Sequence, residues 1–425
     1  MNSNSKSNPP KVGLQALAAL RNDNYRRFWF STAGQSAAQG MQTLTISWLV
    51  LELTGSVSQL GLSVFVLGVP MSVMMIFGGV LADRVSRIRL IMASQLISIT
   101  LLTLLGVLNL LGAAQVWQVY AIAPFIGAFQ GLIRPSSASA ISDLVDRKDV
   151  MNAVALNSTL MNLSQIIGPS VAGFLISGVG VGQALVVNAS LYLIGIFWLS
   201  RIKNFPQPAR NNKTNPAKDL LNGLRYVRNV PPVFAIVTIG CLMGLFAHPA
   251  QQMVPALVKE EFKLGASGAG FLLMMAGIGA LIGNITLASL GDVKRKNWLL
   301  LLFGGLYGVA ILILSALPWY LGSMVALFLM GMGRTVFVSL GSTLLQLLIP
   351  RDYLGRAISW WNVGGAFTFV GAMPLGFMAE VAGLRPAIAL FVCVYILSLV
   401  FLGFLKPAIR NIESNPEAIP APASA

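Results

Sequence analysis

Two arginines, Arg134 and Arg334, stand inside long apolar stretches of this chain of 425 residues. A guanidinium placed there is costly, faces protein or water rather than lipid, and marks a functional-site candidate. Each follows a glycine at the same separation, Gly131 and Gly331, in stretches that correspond between the two halves of the sequence. Two readings stand. The planar forks bind an anionic or carbonyl-rich molecule, or neighbouring backbone and polar groups hold the charges as they snorkel toward one membrane face. Gln35, Gln39 and Gln42 recur at helical spacings of four and three and share one face of the first apolar stretch. Amides turned to lipid would leave hydrogen-bonding capacity unmet, so they face the interior, as glue between helices or as cavity lining. Asn162 lies with Ser158, Gln165 and Pro169 on a similar line. His248, the only histidine, precedes Pro249. It is either a titratable group in a proton path or a hydrogen-bonded packing residue.

The acidic residues are informative by absence. Every Asp and Glu falls in a loop, a tail or near the end of an apolar stretch. A proton-driven carrier commonly keeps a carboxylate at mid-membrane, so Asp143, Glu52, Glu380 and His248 are the remaining candidates for proton coupling. One histidine and no activated nucleophile or paired ligands argue against a membrane-embedded enzyme. No Gly-x-x-x-x-Gly-Lys-Ser/Thr loop is present to support direct drive by ATP. Cys241 and Cys393 lie in apolar runs and read as packing residues, not as a disulfide or metal site. No cofactor is implied.

The elements that must position these groups follow from composition. The chain is 56% hydrophobic and 10% charged, against about a quarter charged in soluble domains. Twelve apolar segments, each long enough to cross a bilayer as a helix, run over 27–51, 58–80, 89–112, 116–138, 154–178, 184–202, 232–254, 267–290, 298–317, 320–346, 358–381 and 386–405. They lack the period-two alternation of a membrane barrel. The net charge of +15 would suggest nucleic acid in a soluble protein. Here the basic residues gather in alternate loops, from Lys6 and Arg26 through Arg84, Arg147, Arg210, Lys294 and Arg351 to Lys406, which the positive-inside rule places in the cytoplasm with both termini. The opposite loops hold Lys259, Lys263 and Arg385. All eight tryptophans fall near segment ends, as interfacial rings do. The resulting plan is a cytoplasmic tail over 1–24, a six-helix bundle over 25–203, a linker over 204–230 with a short surface helix near Asp219–Tyr226, a second bundle over 231–405, and a disordered tail over 406–425.

The halves echo one another. Leu81-Ala82-Asp83-Arg84-Val85-Ser86-Arg87 after the second segment corresponds to Leu290-Gly291-Asp292-Val293-Lys294-Arg295-Lys296 after the eighth, and Arg147–Ala153 corresponds to Arg351–Ala357. Parallel six-helix repeats place a substrate site near mid-membrane between the halves. The layout resembles the major facilitator superfamily, whose signature loop is similar to Gly79-Val80-Leu81-Ala82-Asp83-Arg84-Val85-Ser86-Arg87, with Ser86 where the pattern has Gly. Gly168-Pro169-Ser170-Val171-Ala172-Gly173 resembles the Gly-Pro motif of exporters in that family. Tyr25-Arg26-Arg27-Phe28-Trp29, Leu53-Thr54-Gly55-Ser56 and Tyr353-Leu354-Gly355-Arg356 are similar to a bacterial branch of enterobactin exporters and macrolide efflux proteins.

The resemblance implies an all-α membrane protein of twelve helices in two pseudo-symmetric bundles, rocking about a site lined by the first, fourth, seventh and tenth. It implies a gate at Asp83, Arg84 and Arg87, with Asp143 as an ion-pair partner and Asp292 as the matching position. It further implies export of a siderophore-like or drug-like organic solute from the bacterial inner membrane, with protons as the candidate coupling ion. Import of a metabolite, or a channel or scaffold that does not alternate, are the competing readings. The expected partners are a small solute and the lipid bilayer, with no nucleic acid, and the expected state is a monomer.

Overall fold

The computed structural model describes residues 18–203, 216–291 and 295–405, without the side chains of 18, 79, 80, 82–84, 216–220, 222, 351, 352, 404 and 405. Every regular element among them is helical, as a bilayer requires of an open chain, because only a helix satisfies its backbone within one segment. The first six long helices are α1 (Asp23–Thr54), α2 (Val57–Arg84), α3 (Arg87–Leu110), α4 (Val116–Leu144), α5 (Val150–Val179) and α6 (Val181–Ser200). The linker contributes α7 (Pro216–Asn229). The second six are α8 (Pro231–Glu261), α9 (Ala266–Ser289), α10 (Lys296–Ala316), α11 (Tyr320–Leu348), α12 (Arg351–Ala382) and α13 (Leu384–Val400).

Composition alone qualifies eleven described helices as membrane spans. Missing from that set is α1, which is long enough at 32 residues but carries the three glutamines. It can afford them because it packs against α5 and α6 and shows protein, not lipid, to most of its length. The other departure is α8, expected to end near residue 254 but continuing to Glu261. Pro249 and Pro255 lack an N–H, and five-residue π-helical turns at Met243–Ala247 and Leu257–Glu261 absorb the mismatch. His248 closes the first of these turns, its N–H donating to Met243 O at 2.9 Å.

Short caps join the helices. The Asn22 side chain accepts from the N–H of Asn24 and Tyr25 at 3.0 and 3.1 Å, opening α1, and donates to Leu144 O at 2.8 Å, tying α1 to the end of α4. The fully buried Tyr25 donates to Ala153 O at 2.8 Å, so the Tyr25–Trp29 motif fastens α1 to α5 at the basic end. Single glycines at φ +95° and +90°, Gly180 and Gly383, turn α5 into α6 and α12 into α13 at matched points of the repeat, a conformation L side chains resist.

The packing repeats as well. In the first half α2 lies on α4, α1 on α5 and α3 on α6; in the second α9 lies on α11, α8 on α12 and α10 on α13. The halves meet along α2 with α12 and α5 with α9. Glycine lets backbones touch at these crossings, as in lipid-embedded bundles generally. A Cβ on Gly168 would sit 2.5 Å from Gly40 C, and one on Gly270 2.6 Å from Pro169 O.

The tryptophan belt holds in part. Trp117 and Trp319 are exposed near helix ends, whereas Trp361 is buried within the second half, against Gly240 and Gly341. Two adjacent positions on a helix point about 100° apart, so Trp360 and Trp361 cannot both face the membrane surface. Gly168→Val should lower the melting temperature of the detergent-purified protein, since overpacking costs about 1–3 kcal/mol. Gly365→Ala, where an added Cβ meets nothing within 4 Å, should leave it unchanged.

Candidate functional site

A cavity of about 1150 Å³ lies between the halves, at or above the size of pockets that hold drug-like ligands, about 300–1,000 Å³. The expected α1, α4, α8 and α11 line it, joined by α2, α5, α9 and α12. Arg134 and Arg334 both face into it, one from each half. Their positions are set one turn away, where Gly131 lies against the Met71 backbone of α2 and Gly331 against the Ala276 backbone of α9. A side chain at either glycine would overlap those carbonyls, so the arginine-bearing helices approach their neighbours more closely than any other residue would allow.

The other expected residues divide. Gln39 lines the cavity with Thr43 and Ser47 at four-residue intervals. Gln35 and Gln42 are buried behind that wall. Gln95 Nε2 donates to Gln35 Oε1 at 3.0 Å, while Gln130 Nε2 and Tyr192 OH donate to Gln42 Oε1 at 2.6 and 3.0 Å. Asn162, Gln165 and Pro169 line the cavity, and Ser158 does not. His248 lines it with Nδ1 at 2.7 Å from Thr368 Oγ1. Gly168 packs on Gly40.

At the basic end Arg87 pairs with Asp143 and donates to Ser139 O at 3.1 Å. This pair joins α3 to α4 and stays within the first half. Gly79, Asp83 and Arg84, as side chains, and the whole of Asp292 lie outside the described residues.

Opposite the basic end the halves are clamped. Glu380 Oε2 accepts from Ser56 Oγ at 2.9 Å and from Ser58 N–H at 3.2 Å, at the start of α2. Lys259 Nζ donates to Leu51 O at the end of α1. An anion thus meets a helix N-terminus and a cation a helix C-terminus, each matched to the dipole, and both charges come from the second half. Ser170 Oγ donates to Gly270 O at 3.2 Å along the α5–α9 seam. The cavity meanwhile reaches Gly355 and Arg356, at the start of α12.

Sequence reasoning missed part of the lining. Gln130 stands one helical turn before Arg134, and Gln251 and Gln252 one turn after His248, spacings that could have flagged them. Arg356 was hidden among basic loop residues. Three arginines line the cavity, and no carboxylate does among the described residues.

The sequence profile of the family described as transmembrane secretion effector matches residues 14–423. The chain belongs to that family, within the major facilitator superfamily. It is a multi-pass membrane transporter and not an enzyme. Enterobactin exporter EntS of Shigella boydii serotype 18 is 30% identical over 346 residues, 79% of this chain and 80% of its own length. EntS of Escherichia coli O1:K1 / APEC matches to the same extent. Among solved structures, the nucleoside transporter NupG aligns with a TM-score of 0.73 at 13% identity, over 91% of this chain and 99% of its own. A bacterial homolog of the human lysosomal transporter Spinster, in an inward-facing and unoccupied conformation, aligns with a TM-score of 0.69 at 14% identity, over 98% of this chain and 100% of its own. These likenesses establish the fold.

The two kinds of glutamine should separate in experiment. Gln42→Leu removes the acceptor that the Tyr192 hydroxyl and the Gln130 amide share, leaving the 3.1 Å Gln130 Nε2–Tyr192 OH bond and an unmet buried hydroxyl proton, and an unmet buried polar group costs about 1–3 kcal/mol. It should therefore lower the melting temperature, while Gln39→Leu should leave stability unchanged and alter transport.

Proposed function

We propose that this protein exports an anionic organic solute, siderophore-like or drug-like, by alternating access of its two halves. The observation that carries this reading is the charge of the cavity: Arg134, Arg334 and Arg356 with no carboxylate among the described lining residues. A cationic cavity favours an anion, and guanidinium forks match carboxylate-like groups in pairs. The amides of Gln39, Asn162 and Gln130 supply further hydrogen bonds, and the flexible Met71, Met75, Met161 and Met243 give a surface that adapts to a bulky, partly apolar solute.

The outward direction is supported by the relatives, named as enterobactin exporters, and by the family's description as a secretion effector. The positive-inside rule assigns the basic end, with both termini, to the cytoplasm of a bacterial inner-membrane protein. An exporter would load there, and the cavity reaches that end. Alternation is supported by the clamp at the other end, whose contacts all run between halves. At the basic end, Asp83 and Arg84 with the Arg87–Asp143 pair form the opposing lock that the signature loop implies, Gly79 and Asp292 belong to it, and Gly168-Pro169 is the bend about which α5 moves. The carrier works as a monomer in the bilayer. Protons are its coupling ion on this reading. Among the four candidate carriers Asp143 is paired with Arg87, Glu52 accepts from Trp48 Nε1 at 3.1 Å, and Glu380 caps α2. His248 alone lines the cavity, so coupling would run through it.

Deleting the gene should raise cellular retention of the solute, and reduced uptake would instead overturn the export reading. In proteoliposomes with an imposed pH gradient, Arg134→Gln or Arg334→Gln should cut kcat/KM for an anionic substrate about ten- to a hundredfold. That follows from losing a charge-assisted hydrogen bond of about 1.5–3 kcal/mol, where about 1.4 kcal/mol is tenfold. The clamp makes a separate statement. Glu380→Gln combined with Lys259→Met should increase labelling of a cysteine placed at Gln39 by an impermeant maleimide added outside. Unchanged labelling would mean that these contacts do not hold the outer end shut.

A further inference from the structure

The Tyr353-Leu354-Gly355-Arg356 motif lies near the start of α12, at the basic end of the cavity. Arg356 lines the cavity where it reaches the basic end. Beyond it, Gly355, Ser359 and Asn362 are exposed along one face of α12, forming a polar track that leads inward. The Arg356 guanidinium stands over the Tyr353 ring, 5.9 Å from its centroid, within cation–π range. Tyr353 in turn stacks on Tyr226 of α7, with centroids 4.6 Å apart and planes 11° from parallel. Close to this stack, α7 rests on the backbone of Arg356: a Cβ on Gly223 would sit 2.9 Å from Arg356 O and 3.0 Å from Arg356 Cβ. Tyr226 and Val227 are buried in the contact, while Arg225 and Arg228 remain exposed on the same helix.

From this geometry we infer that Arg356 recruits the anionic solute at the mouth of the cavity, and that the linker helix α7 is the positioning element that holds it there. The inference rests on the anionic-solute reading above and adds a residue and an element to it. A cation at the rim raises the local concentration of anions and speeds their arrival, an effect that salt screens. The stack depends on the Tyr226 ring. Its hydroxyl is buried and has no hydrogen-bond partner among the described residues, so Tyr226→Phe keeps what matters and Tyr226→Ala removes it. Arg356 is a recruiting residue and Tyr226 a positioning one.

The test reads the potential inside the cavity and needs no known substrate. Asn162→Cys is placed in the full-length chain with Cys241→Ala and Cys393→Ala, purified and set in nanodiscs. The rates of modification by a sulfonate and by a trimethylammonium methanethiosulfonate are compared, each normalised to a free thiol. The parent should favour the sulfonate. Arg356→Gln should lower the sulfonate-to-ammonium ratio at low salt, and one charge acting with opposite sign on the two reagents across about 10 Å of water would change it about fourfold. That difference should vanish near 1 M salt, where the screening length is about 3 Å. Arg356→Lys should keep the ratio, Tyr226→Ala should lower it, and Tyr226→Phe should match the parent. A parent ratio near one would overturn the cationic cavity itself, and this inference with it. A ratio that falls with Arg134→Gln but not with Arg356→Gln would overturn the recruiting role alone. A response to Arg356→Gln without one to Tyr226→Ala would overturn the part given to the linker helix.

Discussion

Much of this structure depends on the cost of keeping guanidinium groups inside a membrane with no carboxylate among the described lining residues to neutralise them. A cation cannot face lipid there without deforming the bilayer or drawing in water. Arg134 and Arg334 escape that cost by pointing at a shared cavity between the halves, and the cavity can exist because the halves meet mainly along two seams. The walls follow from the same constraint. Amide side chains and small polar residues face the arginines, while Leu, Val and Phe side chains face outward from α3, α6, α10 and α13.

Placing two charges on opposite halves requires that each half be rigid. Glycine supplies the rigidity by permitting close contact. Gly127 and Gly131 bring α4 onto α2, and Gly279 and Gly331 bring α9 and α11 together. Each arginine thus belongs to a tightly packed helix pair. The seams between halves are different in kind. There, glycines at Gly61, Gly376, Gly173 and Gly270 let backbones approach across surfaces with few side-chain hydrogen bonds, and the outer clamp adds charges at helix ends. Such contacts open without leaving a buried side chain stranded, since helix termini and serines find water readily.

The sequence carried the two bundles, the matched arginines, and α1 as a polar span, because repeated apolar length and a charge within it have few interpretations. It could not say which glutamine meets the cavity. Gln35, Gln39 and Gln42 fall within an arc of about 60° at about 100° per residue, and a helix wedged between neighbours changes surroundings across such an arc. The cavity stripe runs through Gln39, Thr43 and Ser47, on the flank of that arc away from Gln42. Only the positions of α4 and α6, which supply Gln130 and Tyr192, decide that Gln42 is glue. Arg356 was illegible for a related reason. A basic residue at the cytoplasmic start of a span satisfies the topology rule whether or not it also faces a cavity, and its role rests on α7, which lies 127 or more residues away from it at its nearer end.

The lack of a carboxylate among the described lining residues also bears on energy. A proton-driven carrier needs a group whose charge changes during the cycle, and the described lining offers His248 alone. An anion leaving a negative-inside cell meets a different balance. Each negative charge moved outward gains about 2.3 kcal/mol per 100 mV, so a polyanionic solute would be expelled by the membrane potential itself. Arginines then do two jobs with one charge. They make the loaded site attractive to the solute, and they set which half of the cycle, loaded or empty, feels the potential. Because the arginines return with the empty carrier, the net gain over a cycle is set by the solute's own charge alone. On this physical ground, the number of charges on the solute decides whether His248 has any coupling work to perform.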